Sequence, residues 1–257
     1  MSKSIKLVIT DLDGTLLRSD KSISEYSKSV FDKCREQGIL TAFATARAEG
    51  AARRFIDFIR PDIVISCGGA LVKFRDSVIV RKQLSAEISK GIIDMCLALT
   101  GGHGEITVET DAGHFWNYHV KPGGDYSDCI YTDFSNFSFP TYKITAELET
   151  EELAKAVVRE NPECETLSFR GEKWRRFAAK GADKVSAILG LCEHLQIDIG
   201  SVIAFGDDYN DTQMLKAVGT GVAVGNAPDE IKSVADFVTE NNDNDGVARF
   251  LKERFNL

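Results

Sequence analysis

The chain has 257 residues, enough for one large domain or two modest ones, and its 43% hydrophobic and 27% charged residues suit a globular protein with a substantial core. Against 31 Lys+Arg stand 39 Asp+Glu, a formal net charge of −8, which excludes the broad basic footprint of a nucleic-acid or anionic-membrane binder; an anionic ligand has to be held locally, by a metal ion, a few cations or helix N-termini. Six cysteines scattered singly, no run of ~18 apolar residues and no leader-like N-terminus exclude a zinc ribbon, a disulfide scaffold and a spanning helix, so a cytoplasmic protein, monomeric or a small homo-oligomer, is expected.

In chain order, the first apolar run, residues 5–10 (IKLVIT), ends in Asp11-Leu12-Asp13-Gly14. An amphipathic segment at 24–37 leads to a second run, 39–45 (ILTAFAT), and another at 50–59 leads to a third, 63–66 (IVIS). Far downstream, helix-like segments at 183–195 and 209–218 flank the run 201–206 (SVIAFG), and 221–224 (GVAV) follows. Continuous apolar runs fit strands covered on both faces, and their alternation with helices predicts βαβ units, that is, an α/β fold with a doubly wound parallel sheet.

The middle of the chain has another rhythm: a helix at 86–99, alternating strands at 105–110 and 114–120, a strand at 142–146, a helix near 151–160, and a strand pair at 165–169 and 174–179. Alternation marks sheets with one wet face. Residues 84–180 are therefore expected to form an inserted α+β domain, with a discontinuous core of 1–83 and 181–257; the loop 121–140 resists assignment.

In an open α/β sheet, ligands bind beyond the carboxyl ends of the strands. Here those ends carry Asp11 and Asp13, Thr45, and Asp207-Asp208-Tyr209-Asn210-Asp211. One such stretch is explained by an Asx turn; three at the same edge point to a site. Carboxylates without neighbouring Cys or His select a hard cation, most plausibly Mg²⁺, and with it the site can take a phosphate dianion. Asp11 then suits a nucleophile attacking phosphorus, and Asp13 an acid/base whose pKa like-charge neighbours and partial burial are expected to raise. Gly14 permits a sharp turn, and the Thr45 hydroxyl and an ammonium group meet the remaining need to orient and neutralise the phosphoryl oxygens.

Taken together, Asp11-Leu12-Asp13-Gly14-Thr15, Thr45, a lysine and Gly206-Asp207-Asp208-Tyr209-Asn210-Asp211 resemble the four ordered motifs of the haloacid-dehalogenase-like phosphohydrolases. The spelling Gly225-Asn226-Ala227-Pro228, then Asn242-Asp243-Asn244-Asp245-Gly246-Val247-Ala248, resembles their Cof subfamily, with a type IIB cap on a Rossmann-like core. By that resemblance Asp11 is nucleophile and Mg²⁺ ligand, Asp13 acid/base with its backbone carbonyl toward the metal, and Asp207 the third protein ligand. Thr45 and Asn210 would contact phosphate, and Asp211 would support the metal shell. Counting back from the helix 187–195 places the family's lysine at Lys184, with Lys180 of the pair Lys180-Gly181 as second candidate. Two departures stand out: Thr45-Ala46-Arg47 replaces Thr-Gly-Arg, adding a methyl group beside the phosphate pocket, and Gly68-Gly69-Ala70 replaces Asn-Gly-Ala. The resemblance implies a mobile cap closing over a small phosphorylated metabolite, commonly a sugar phosphate. The rival readings are a phosphomannomutase-like phosphotransferase and a catalytically idle binding protein on the same fold.

Other patterns are decoys on this reading. Asn241-x-Asp243-x-Asp245-Gly246 imitates half an EF-hand loop, but its twelfth position is Lys252, and a polar loop capping the last helix is expected instead. Gly219-x-Gly221-x-x-x-Gly225 misses the dinucleotide fingerprint by one residue. His114 and His119 have an odd offset and would face opposite sides of a strand. Trp116 and Tyr118 share a face and would fill the insert's core or, with the loop after them, line the substrate pocket, while Arg170, Lys173, Arg175 and Arg176 read as a solvated basic face.

Overall fold

The computed structural model describes residues 4–118, 129–168 and 173–257; His119 and Arg170 lie outside them. The chain divides into two compact units, Met1–Val80 with Asp183–Leu257, and Arg81–Ala182. In chain order the elements are β1 (Leu7–Thr10), α1 (Glu25–Glu36), β2 (Leu40–Ala44), α2 (Glu49–Ile59), β3 (Ile63–Ser66), β4 (Leu71–Phe74), β5 (Ser77–Arg81), α3 (Ala86–Leu99), β6 (Ile106–Thr110), β7 (Gly113–Trp116) and β8 (Ile130–Tyr131). They continue with β9 (Lys143–Glu147), α4 (Glu151–Glu160), β10 (Cys164–Ser168), β11 (Trp174–Ala179), α5 (Lys184–Leu195), β12 (Val202–Gly206), α6 (Thr212–Ala217), β13 (Thr220–Ala223), α7 (Asp229–Lys232), β14 (Phe237–Val238) and α8 (Gly246–Phe255). Among the described residues no helix is long and apolar enough to cross a membrane.

The first unit is an eight-stranded sheet in the order β14-β13-β12-β1-β2-β3-β4-β5, parallel from β14 through β3, a Rossmann-like core. Alternate residues of the central strands feed two apolar layers. Leu7, Ile9, Ala42, Ala44, Ile63 and Ile65 pack with Ile188 and Leu191 of α5, whereas Val8, Phe43, Ile203 and Phe205 pack with Phe31, Phe55 and Leu251 of α1, α2 and α8. Burial on both faces is why these strands read as unbroken apolar runs. The sequence reading stops this side of the sheet at residue 66; β4 turns back antiparallel to β3, and the chain reverses at Arg75, left-handed at φ 53°, into β5. Where a helix over 209–218 is expected, a one-turn 3₁₀ helix, Tyr209–Asp211, precedes the shorter α6, because Asp208 and Asp211 form a capping box that starts a new turn there.

The second unit is a six-stranded sheet, β10-β11-β9-β6-β7-β8, antiparallel except for the pair β7/β8. Val108, Phe115, Ile144 and Phe177 pack on Ile92, Ile93 and Val157 of α3 and α4, helices started by the Ser85 and Thr150 side-chain caps. Trp116 does not join that core as expected: adjacent strand residues face opposite sides, Phe115 takes the core side, and Trp116 clusters with Tyr118, whose ring lies 6.1 Å from that of Trp174. The expected solvated basic face is also corrected at Arg175 and Arg176, which are buried, Arg176 donating to the Ala182 carbonyl.

Candidate active site

Strand β1 pairs with β12 and β2, and one more bond beyond the ladder, from Asp11 N to the Phe205 carbonyl at 3.0 Å, carries Asp11 past the sheet's carboxyl edge. The Leu12 carbonyl then collects the N–H groups of Thr15, Leu16 and Leu17, a turn that holds Gly14 at φ +78°. Any Cβ at Gly14 would overlap the Asp207 carboxylate, so glycine is required both for the backbone angle and for the close approach of the two loops. The Asp183 carboxylate accepts the Ser186 N–H at 2.8 Å and starts α5, which puts Lys184 in its first turn.

These loops bring four of the sequence candidates together. Lys184 Nζ donates to Asp11 Oδ1 at 2.6 Å and to Asp211 Oδ1 at 2.7 Å, and the carboxylates of Asp11, Asp207 and Asp211 offer oxygens all within 4.8 Å of one another. Asp211 does two jobs, since its other oxygen accepts the backbone N–H groups of Asp207 at 3.1 Å and Asp208 at 3.2 Å and so shapes the loop that presents Asp207. Lys180, the second lysine candidate, lies in the other compact unit, next to the end of β11, its N–H on the Glu163 carbonyl.

Electrostatically the cluster is acid-rich, with three carboxylates around one ammonium. Burial, foremost, pushes Asp11 up to about 8; Asp211 and Asp207 add to the rise, and Lys184 opposes it. Burial likewise lifts Asp207 to about 6, helped by Asp211 and Asp208 and opposed by the Thr15 hydroxyl, which donates to Asp207 Oδ1 at 2.6 Å. Burial alone would lower the Lys184 ammonium, but Asp11 and Asp211 outweigh it and hold the lysine charged, above its ordinary value. An all-oxygen donor set with surplus negative charge fits a hard divalent cation and lacks the nitrogen or sulfur ligands that softer metals prefer.

Asp13 departs from expectation. Burial does push its carboxyl up, but the Arg47 fork (Nε 2.6 Å, Nη2 2.8 Å) and Lys21 Nζ at 2.8 Å outweigh it and leave the pKa at about 2, not raised. The like charges expected to act on Asp13 act on Asp11 instead, because Asp13 has two cations of its own. Arg47 is itself braced, donating to the Ala51 carbonyl at 3.2 Å with its guanidinium 5.3 Å from the Phe55 ring centre.

The remaining candidates stand at neighbouring strand ends. Thr45, buried just past β2, bonds its N–H to the Ile65 carbonyl and accepts the Arg47 N–H on its hydroxyl at 3.1 Å; Ala46 lies between them. Asn210 occupies the 3₁₀ turn just before Asp211. Sequence reasoning assigned no role to Thr15, Arg47 or Lys21. The first two sit inside the quoted motifs, which is a usable signal, whereas nothing local marks Lys21, eight residues from its partner.

The carboxylates of the EF-hand-like stretch accept from protein donors: Asp243 from Ser19, and Asp245 from Arg18, Ser24 and Ser27. As expected, the polar loop leads into α8, with Asp245 at the N-cap position in the left-handed region; no side chain caps the helix, and the Asp245 carboxylate turns to residues 18–27. His114 lies between Cys129 Sγ, 3.1 Å from Nδ1, and the Thr107 hydroxyl at Nε2, inside the second unit.

A profile of the haloacid dehalogenase-like hydrolases matches residues 8–251, nearly the whole length of the chain just described. The chain belongs to that family, in its Cof branch, and is an enzyme of the phosphatase kind. Among its relatives, YkrA of Bacillus subtilis (strain 168), named as a phosphatase, is 30% identical over 96% of this chain and 97% of its own. YcsE of the same organism, named as a 5-amino-6-(5-phospho-D-ribitylamino)uracil phosphatase, is 26% identical over 96% of this chain and 95% of its own. A solved sugar phosphatase of haloacid-dehalogenase subclass IIB, 22% identical, shares the fold at a TM-score of 0.81 over 98% of this chain and 100% of that one.

Proposed function

We propose that the enzyme hydrolyses small phosphomonoesters, sugar phosphates foremost, through an aspartyl-phosphate on Asp11, with Mg²⁺ held by Asp11 and Asp207, by the Asp13 backbone carbonyl, and by Asp211 in support. The observation that carries this reading is the clustering of three carboxylates, Asp11 and Asp211 of them bonded to Lys184, at the carboxyl edge of the sheet. The Asp11 carboxylate attacks phosphorus as the bond to the leaving oxygen breaks and that oxygen takes a proton; a water molecule then attacks the aspartyl-phosphate and gives up its own proton, releasing phosphate and restoring Asp11. Charge neutralisation on the phosphoryl oxygens is what a bound Mg²⁺ adds. Lys184 neutralises Asp11 and Asp211 and steers the phosphate, while Thr45, Ala46 and Asn210 line its oxygens.

Asp13 serves both proton transfers. Arg47 and Lys21 hold its carboxylate in place but leave it a weak base, so bound substrate has to loosen that pairing for the carboxyl to carry the proton that it gives to the leaving oxygen and takes from the water. The polyol phosphate in the name of YcsE supports a sugar-like leaving group, and six cysteines outside disulfides suit a reducing compartment, the cytoplasm.

Phosphate release from sugar, nucleotide and other small phosphomonoesters, in Mg²⁺ or in EDTA, tests the proposal. Mg²⁺-dependent release, fastest on the sugar and polyol phosphates, is expected; no release from any member in saturating Mg²⁺ overturns it.

Metal binding should carry a pH signature. In the metal-free protein burial pushes Asp11 up to about 8, against an ordinary carboxyl value of 3.8 in the unfolded chain, so the folded state binds more protons across that window and its stability falls as pH rises. Mg²⁺ must displace that proton, so its affinity rises by up to about tenfold per pH unit until about pH 8 and then levels off. Thermal melts from pH 5.5 to 9 should show a Mg²⁺-induced gain that grows with pH and saturates. A gain independent of pH contradicts an Asp11 carboxyl that keeps its proton up to about pH 8.

A further inference from the structure

Four side chains from the C-terminal part of the chain bond to the loop 14–22, one of them also to the start of α1. Asn226 Nδ2 donates to the Gly14 carbonyl at 2.7 Å, and its Oδ1 accepts the Asn242 N–H at 3.0 Å; Asn242, 7% exposed, donates Nδ2 to the Leu17 carbonyl at 2.9 Å. Asp243 takes the Ser19 N–H and hydroxyl, each at 2.7 Å, one on each oxygen. Asp245 pairs with Arg18 Nη2 at 2.6 Å and accepts the hydroxyls of Ser24 at 2.8 Å and Ser27 at 3.2 Å. The carboxylate oxygens that an EF-hand would give to Ca²⁺ are engaged by protein donors.

The loop so held leaves Asp13 and returns to it. Arg18 N donates to the Ser22 carbonyl at 3.0 Å and Lys21 N to the Arg18 carbonyl at 2.8 Å, a tight turn with Lys21 at its left-handed corner, φ 61°, and Lys21 Nζ reaching Asp13 Oδ1 at 2.8 Å. Residues 19–22 (SDKS) are exposed and polar, so no apolar burial orders this turn. A lysine on a flexible stem contributes little at a solvent-exposed pair unless its backbone is fixed. The C-terminal bonds supply that fixation.

We infer that Asn226, Asn242, Asp243 and Asp245 are positioning residues that clamp loop 14–22, and that through Lys21 they set the orientation of the Asp13 carboxylate. The role assigned to Asp13 rests on the phosphatase reading above; the clamp itself does not.

The test combines hydrogen exchange with kinetics on full-length variants. Asp243→Ala, at an exposed contact, and Asp245→Asn, which keeps shape but loses charge, should each speed amide exchange in residues 14–22 by about tenfold or more while the sheet amides keep their wild-type rates. With p-nitrophenyl phosphate and Mg²⁺, each should lower kcat by about ten- to a hundredfold with little change in KM, as a misplaced proton-transfer group does. Lys21→Met should do the same, and Lys21→Met with Asp245→Asn should be no worse than the more impaired single variant. Wild-type exchange in the loop of both variants overturns the clamp, and kinetic losses that multiply in the double variant overturn the route through Lys21. A wild-type enzyme that releases no phosphate instead defeats the phosphatase reading, and the exchange rates still decide the clamp.

Discussion

Asp11→Asn is expected to abolish Mg²⁺-dependent phosphate release, by at least about 10⁴-fold, while leaving the fold intact and the metal-free protein no less stable. The activity loss follows from the proposed chemistry, because an amide cannot form the aspartyl-phosphate and nothing else in the cluster is placed to replace it. The stability half follows from the electrostatics. A carboxyl pushed up to about 8 by burial and by its acidic neighbours costs the folded protein free energy whenever it ionises, and an amide of the same shape removes that cost while its oxygen still accepts from Lys184. Paired measurements of kcat/KM and melting temperature at pH 8 check both halves. Residual release above about one part in a thousand would remove Asp11 from the nucleophile's role, and a fall of several degrees in the melting temperature would mean that its contact with Lys184 outweighs the acidic repulsion.

Lys184→Met should have the largest effect on stability. The ammonium is 7% exposed and stands between Asp11 and Asp211, so its removal leaves two buried carboxylates without their shared cation, a change that typically costs about 3–5 kcal/mol. The cost depends on pH with a definite sign. Without Lys184 the Asp11 carboxyl, already raised in the fold, is pushed further above its unfolded value, so the folded variant binds more protons and loses stability as pH climbs from the acid range toward neutrality. Urea midpoints at pH 5.5 and 8 should therefore diverge more between wild type and variant at pH 8, and Mg²⁺ should recover part of the loss there. Phosphate release should fall with it, because Asp211 also shapes the loop of Asp207 through two backbone bonds. Equal destabilisation at both pH values would show that lost packing, not the uncompensated charge, sets the cost.

The sequence by itself determined the parallel core and the acidic edge of its sheet. An apolar run followed by Asp11 or Asp207 is a local pattern, buried on both faces and ending where the chain leaves the sheet, and such patterns survive whatever partners surround them. Lys184 was legible only through the family resemblance, which placed the family's lysine there by counting back from a helix and kept Lys180 as second candidate. What only the tertiary structure decided is which charge meets which. Lys184 and Asp11 are 173 residues apart, and Arg47 and Asp13 are 34 apart, so neither pairing is written in any short window. That is why the expected rise in the pKa of Asp13 became a fall, and why the crowding of like charges landed on Asp11. The outer strands β4, β5 and β14, of which β5 and β14 form the sheet's edges, and the side of the second sheet taken by Trp116 were decided the same way, by the neighbour each element found. The EF-hand-like stretch is the sharpest instance: its composition specifies oxygen acceptors, and the fold determines whether a cation or the donors of residues 18–27 fill them.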